Sequence, residues 1–406
     1  MDLVDDARAL QPDLVRLRRT LHRTPELGLQ LPRTQEAVLA ALAGLPLEVS
    51  TGTTSTSVTA VLRGGRRPVD GAPARTVLLR ADMDALPVVE EGAGGDDVPV
   101  AANGAMHACG HDLHTAALVG AAHLLGAHRD GLAGDVVLMF QPGEEGHDGA
   151  AAMIAEGVLD AAGRRADHAY ALHVFSNVLP TGVVASRPGT VLAASAGLRV
   201  TVRGAGGHGS SPHAAKDPVV AAAEMITSLQ TMVTRTFDVF DPVVVTVGVL
   251  AAGSARNVIP DTATFEATVR SFSAAAGERL RVAVPRVLRG VAAAHDVDVE
   301  VEFAAEYPPT VNDAAEVGFA AGVVRELFGE ERYLDAPRPV SGSEDFSRVL
   351  QQVPGAFLGL GACPPGLDPA TAPMNHSPRA RFDERVLADA AALHAGLALA
   401  RLGGAS

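Results

Sequence analysis

The stretch His107-Ala108-Cys109-Gly110-His111-Asp112-Leu113-His114 brings one thiol and three imidazoles into a single short segment. Thiolate and imidazole are good ligands for zinc and other divalent transition metals. Cys109 and His111 flank Gly110, so a turn at the glycine can aim both side chains at one point. The plainer alternative is a polar turn that opens a helix, with Asp112 and Thr115 as its capping residues. A second candidate is the adjacent pair Glu144-Glu145. Neighbouring carboxylates repel unless a cation or solvent holds them. Because successive side chains diverge, one can bind a metal while the other faces a water as general base. A solvated acidic loop would show the same two letters. His173 closes an apolar run and His376 lies in the loop Asn375-His376-Ser377-Pro378. Either alone reads as an ordinary core or loop histidine. The joint pattern carries the argument: four candidate positions, each at the end of an expected strand or turn.

The elements that must position these residues are legible in the hydrophobic pattern. Residues 7–22 and 34–43 carry helical spacing, and 112–126 is an Ala/Leu-rich helix. Short apolar runs at 76–80, 135–140 and 169–174 predict buried strands that deliver Asp82, Glu144-Glu145 and His173 at their ends. Repeated strand–loop–helix units imply an α/β sheet, whose polar residues beyond the strand ends form the site. Near residue 190 the texture changes. Alternating or β-branched runs at 197–203, 243–250, 262–270 and 297–303 enclose helical patterns at 217–234 and 275–294. Four strands and two helices are the content of a small α+β sandwich. The first texture resumes after about residue 308 and ends in a long helix from 383. The expected fold is therefore α/β: a catalytic domain (1–188 and 308–406) with a central mixed sheet flanked by helices, and an inserted α+β sandwich (189–307). Gly/Asp/Pro-rich segments at 63–75 and 91–99 read as solvated surface loops.

Composition narrows the function classes. The chain has 406 residues, 47% of them hydrophobic, enough to bury a large core. A net charge of −14 opposes binding to nucleic acid or anionic membranes. No apolar run is long enough for a membrane span, and the acidic N-terminus lacks the marks of a signal peptide. The expectation is a cytoplasmic protein, in which Cys109 and Cys363 stay reduced.

Taken in order, Arg80-Ala81-Asp82-Met83-Asp84-Ala85-Leu86-Pro87, the Cys109-Gly110-His111-Asp112 segment, Gln141-Pro142-Gly143-Glu144-Glu145, Leu172-His173-Val174 and Asn375-His376-Ser377-Pro378 resemble the M20 metallopeptidase superfamily. Within it the likeness is to the amidohydrolase branch of hippurate hydrolases, N-acyl amino acid amidohydrolases and auxin-conjugate hydrolases. The resemblance implies two divalent ions per subunit (manganese or zinc, with cobalt also suited). Their ligands would be Cys109, His111, Glu145, His173 and His376, with Glu144 as general base and Asp84 orienting a ligand, Asp82 nearby. It further implies a homodimer joined through the inserted lid and dimerisation domain. His208, in Gly206-Gly207-His208-Gly209, would reach the partner's site to stabilise an oxyanion, with His213 a weaker candidate. Asn257 would contact the substrate and Arg270 its carboxylate. Two departures, Thr24 in place of a second histidine and Ser343 in place of alanine, bear on substrate preference rather than on the chemistry.

The expected reaction is hydrolysis of the amide bond of a small N-acyl amino acid. Glu144 would take a proton from the attacking water and return it to the leaving amine. A dipeptidase or carboxypeptidase of the same superfamily is the nearest rival. A cysteine hydrolase would leave Glu144, Glu145, His173 and His376 without roles. A non-catalytic metal-binding relative would have no use for Glu144.

Overall fold

The computed structural model describes residues 3–66, 74–91, 101 and 103–403. The chain forms two compact units, one from the N-terminus to Val191 with Val311–Arg338 and Asp345 onward, the other Leu192–Thr310 with Pro339–Glu344. The first unit is built on an eight-stranded mixed sheet. Its strand order is Leu47–Thr51, Val58–Leu62, Asp135–Gln141, Thr76–Asp82, His168–Phe175, Gly355–Gly361, Val184–Ser186 and Tyr333–Asp335. The central strands Asp135–Gln141, Thr76–Asp82, His168–Phe175 and Gly355–Gly361 run parallel to one another, whereas the hairpin at Leu47–Leu62 joins antiparallel. Thr76–Asp82, Asp135–Gln141 and Gly355–Gly361 are buried at every residue. That burial is why they read as continuous apolar runs: a parallel sheet covered on both faces has no polar side to alternate with.

Helix His111–Ala127 is buried around nearly its whole circumference, packed on the sheet and against helices Leu3–Arg23 and Val386–Leu402. Its alanines and glycines permit this close approach; a Cβ on Gly120 would stand 2.8 Å from the Cβ of Ala391. Helix Leu3–Arg23 lies outermost and is amphipathic, with Val4, Ala7, Leu14 and Leu21 buried. Each fully buried leucine or valine in this core stabilises by about 1.5–3 kcal/mol relative to exposure.

The second unit is a two-layer α+β sandwich. Four antiparallel strands, ordered Val243–Ala252, Thr262–Ser271, Ala194–Arg203 and Asp298–Ala305, form one layer. Helices Pro218–Thr236 and Ala274–Ala294 form the other. Asp217 and Ser273 cap these helices, accepting from Val219 N at 2.8 Å and Ala276 N at 3.0 Å.

The expected elements are present with small shifts at their ends; the last helix begins at Val386 rather than 383. Of the two expected surface loops, residues 67–73 and 92–99 lie outside the described residues. At the start of the first loop the expectation fails. Gly64 is buried, and Arg63 is half-buried between Glu48 (2.7 Å) and Asp135 (3.0 Å). Among the described residues no helix is long and apolar enough to cross a membrane.

Candidate active site and metal centre

The candidate residues of the first unit gather where its parallel strands end, the crevice in which open α/β sheets bind ligands. The turn before helix His111–Ala127 supplies Cys109 and His111. Gly110 between them has φ +87°, and a Cβ there would meet Val174 Cγ2 at 2.4 Å. Glycine is thus required twice over, for the left-handed backbone and for the contact. Asp112 does not cap this helix, contrary to the sequence reading. Its carboxylate sits 2.8 Å from both Arg18 Nε and His22 Nδ1. Thr115 turns its hydroxyl to the Asp82 carbonyl at 2.9 Å. The N-cap position is Gly110, with no side-chain cap.

Three strand ends and one loop contribute the rest. The Thr76–Asp82 strand leads into Asp84, whose carboxylate oxygens accept from Glu144 N (2.9 Å) and Glu145 N (3.0 Å). One acid thus clasps the backbone of the turn that follows Asp135–Gln141 and sets where both glutamates start. His173, near the end of His168–Phe175, has Nδ1 2.9 Å from the Val174 carbonyl. Nδ1 therefore carries the proton and Nε2 presents a lone pair, 3.3 Å from Cys109 Sγ. His376 holds a left-handed φ of +71°, uncommon for a non-glycine residue, and its N–H is tied to the Ala108 carbonyl at 2.9 Å. Its Nε2 lies 3.3 Å from Cys109 Sγ and 3.2 Å from Glu145 Oε1.

The donor atoms fall into triads whose members lie within 4.8 Å of one another. These include Cys109–His111–His173, Cys109–Glu145–His376 and His111–Glu144–Glu145. A cation fits this set on two grounds. First, neither ring nitrogen of the buried His111 has a hydrogen-bond partner among the described residues, although Asp82 and Asp84 oxygens lie 3.6 Å away. A buried polar group left so is costly unless something else satisfies it. Second, the surroundings attract positive charge. Hydrogen bonds with Cys109 and Glu145 push His376 up to about 10. Burial would lower His111, but Asp82 and Cys109 hold it well above its ordinary value. A divalent ion displaces such protons on binding.

The surrounding charges are themselves paired. Asp82 would be raised by burial, yet Arg80, His111 and His114 hold it well below the usual carboxylate range. Burial likewise opposes ionisation of Asp112, which Arg18 and His22 outweigh. Burial pushes His107 down to about 4, so it stays neutral.

Two residues assigned no role in the sequence act here. Asn375 accepts from Ser176 N (3.0 Å) and donates to the Val174 carbonyl (2.9 Å) and the Cys109 carbonyl (3.2 Å). It therefore joins the loop of His376 to both the thiol turn and the His173 strand. His114 is the other, with one ring nitrogen toward Asp82 and the other toward Val174 N. Asn375 was visible as a neighbour of His376 in the sequence, but its partners are hundreds of residues away.

The remaining candidates belong to the second unit. His208 and Val258 are partners in a two-stranded ribbon, and Asn257, also exposed, accepts the Gly209 N–H through its carbonyl at 2.8 Å. His208 Nδ1 lies 2.8 Å from Ser210 Oγ. His213 is exposed in the following turn. Arg270 is apart from this ribbon, half-buried on the strand Thr262–Ser271, opposite Ser195 and Val244.

Comparison with known proteins bears on the same residues. The sequence profile of Peptidase family M20/M25/M40 matches residues 78–400, a span containing every residue of the clusters above. The chain belongs to the M20 peptidase family. The resemblance drawn from its motifs is thereby borne out. The chain is 38% identical over 391 residues to IAA-amino acid hydrolase ILR1-like 4 of Arabidopsis thaliana, covering 95% of this chain and 84% of that one. It is 34% identical over 409 residues to thermostable carboxypeptidase 2 of Saccharolobus solfataricus, covering 98% and 99%. Among solved structures, the Bacillus subtilis YXEP protein, a dinuclear metal binding peptidase from the M20 family, superposes with a TM-score of 0.81 at 29% identity. That match covers 97% of this chain and 99% of the other. As an M20 member, this protein is a hydrolytic enzyme that acts on amide bonds.

Proposed function

We propose that the protein is a two-metal amidohydrolase that cleaves N-acyl amino acids to a carboxylic acid and a free amino acid. The observation that carries this reading is the sharing of Cys109 between two triads, one with His111 and His173 and the other with Glu145 and His376. A thiolate has lone pairs for two ions, and the donor set of sulfur, imidazole and carboxylate suits zinc, manganese or cobalt. Ions held there would supply Lewis acidity and make a water acidic enough to deprotonate near neutral pH.

The remaining work belongs to the chain. Glu144, buried and fixed at its backbone by Asp84, accepts the proton of the attacking water and returns it to the leaving amine. Asp84 fixes the backbone from which both carboxylates start: Glu145 lies with Cys109 and His376, and Glu144 beside Glu145 and His111, where it would meet a metal-activated water. The imidazole of His208, exposed on its ribbon, stabilises the oxyanion in the partner subunit of a homodimer joined through the 192–310 unit. Asn257 and Arg270 take the substrate carbonyl and carboxylate. The net charge of −14 opposes nucleic acid and anionic membranes as partners and so supports a small-molecule substrate.

The name of the Arabidopsis relative supports an amino-acid conjugate as substrate. The Saccharolobus carboxypeptidase, nearly as similar, favours a second reading in which the acyl group is itself a peptide. Metal analysis of the purified protein, followed by hydrolysis of N-acetyl, N-benzoyl and long-chain acyl amino acids beside dipeptides and longer peptides, separates them. The first reading predicts metal-dependent release of amino acid from the acyl series and little from peptides. The reverse order of rates establishes the second reading, and activity that survives complete metal removal refutes both.

A further inference from the structure

The strands Thr76–Asp82 and His168–Phe175 pair in parallel from Val77 opposite His168 to Arg80 opposite Ala171. Beyond that point they part, one continuing to Asp82 and the other to His173. Parting strands leave main-chain groups without their ladder partners, and buried groups of that kind must be satisfied elsewhere. Here an imidazole does so. The Val174 N–H donates to His114 Nε2 at 2.8 Å, while His114 Nδ1 lies 2.5 Å from Asp82 Oδ1.

These two contacts fix the state of the ring. Nε2 accepts a main-chain N–H, so it carries no proton; Nδ1 therefore carries it and donates to Asp82. The ring is buried (3% exposed), with its centroid 4.8 Å from that of His173 and 5.4 Å from that of His111. It projects from the same helix as His111, one turn later, and the next residue, Thr115, grips the Asp82 carbonyl. The other Asp82 oxygen takes Arg80 Nη1 at 2.5 Å.

Asp82, His111 and His114 approach one another closely enough to hold a cation between them. That role is closed to His114, because both its nitrogens are engaged and Asp82 is paired with Arg80. We propose instead that His114 is a positioning residue. It is a neutral strut in the Nδ1–H tautomer that stands in for the missing rungs of the sheet. It thereby holds the ends of two strands, and with them His173 and His111, at the spacing a metal requires. The proposal rests on the reading of those two histidines as ligands.

Two substitutions test it. His114→Gln offers one donor and one acceptor in place of the two ring nitrogens, and His114→Leu fills the space without either. Circular dichroism and gel filtration establish folding; titration calorimetry with zinc, and kcat and KM on an N-acyl amino acid, are then measured. We expect His114→Leu to lose about 10- to 100-fold in zinc affinity, with kcat falling and KM little changed. His114→Gln should recover most of both. Equal behaviour of the two variants, or wild-type zinc affinity in a folded His114→Leu, overturns the proposal. Cys109→Ala is the control for the underlying reading. If it too binds zinc like the wild type, the ligand assignment has failed; if it loses zinc while His114→Leu does not, only the strut has. Should His114→Leu not fold, nitrogen-15 histidine spectra of the wild-type holoenzyme decide. Protonation of His114 at Nδ1 supports the strut and protonation at Nε2 overturns it.

Discussion

Replacing Asp84 by asparagine changes one atom at the point where three segments meet. The carboxylate accepts two main-chain N–H groups, those of Glu144 at 2.9 Å and Glu145 at 3.0 Å. An asparagine oxygen can keep one of these bonds, but its NH₂ group then faces the other N–H, donor against donor. A hydrogen bond to a charged group contributes about 1.5–3 kcal/mol, and an orphaned buried donor costs a similar amount. If that energy falls on the placement of the two glutamates, at about 1.4 kcal/mol per factor of ten the loss in kcat is roughly 10- to 100-fold. Metal affinity should fall over a comparable range, because the negative charge 3.6 Å from His111 Nδ1 is also removed. Steady-state kinetics on an N-acyl amino acid at saturating metal, with calorimetric metal titration, reads both quantities. KM should move little, since Asp84 is placed to act through Glu144 and Glu145. An Asp84→Asn enzyme within twofold of wild type in both kcat and metal affinity would refute the clasp.

Other consequences follow from the same packing. Gly110→Ala forces a left-handed φ of +87° on a residue with a Cβ and drives that Cβ to 2.4 Å from Val174. About 1–3 kcal/mol of stability should go for the backbone alone, seen as a Tm lower by several degrees; an unchanged Tm would mean the turn is free to adjust. Glu316 predicts an acid-dependent term. Burial would raise its pKa, but hydrogen bonds from His168 and Tyr170 and the charge of Arg401 hold it at about 2, below its ordinary value of 4.5. A depressed carboxyl contributes stability that is complete above its unfolded pKa and lost as pH falls through the folded one, so the window runs from 4.5 down to 2. Denaturant unfolding of wild type and Glu316→Gln at pH 5, 4 and 3 should show the gap between them narrowing with acid; a constant gap contradicts the assignment.

The parts of this structure that were legible in the sequence are those whose cause is local. Buried strands such as Thr76–Asp82 announce themselves because every residue faces a covered side. The strands of the sandwich do so because one side meets helices and the other does not, as the alternating burial of Ala194–Arg203 shows. Cys109 and His111 stand out because a single glycine brings them together. What stayed hidden depends on partners far away in the chain. Asp112 reads as a cap until Arg18 and His22 are seen beside it. Arg63 reads as a solvated loop residue until Asp135 closes on it. His114 is one more histidine in a dense segment until two strand ends, from Asp82 and Val174, meet its two nitrogens. The adjacency of Glu144 and Glu145 is plain in the sequence, but the acid that holds their backbone comes from a different strand end.

In the proposed reading, a metal cluster built on Cys109 works with Glu144 as the base that moves the proton. Glu144→Gln tests it most directly, with metal content and kcat measured on the same preparation. Removing the base while leaving Cys109, His111, Glu145, His173 and His376 intact should keep the wild-type metal-to-protein ratio and lower kcat by about 10²- to 10⁴-fold. A variant that retains its metal and turns over N-acyl amino acids within tenfold of wild type would contradict the account.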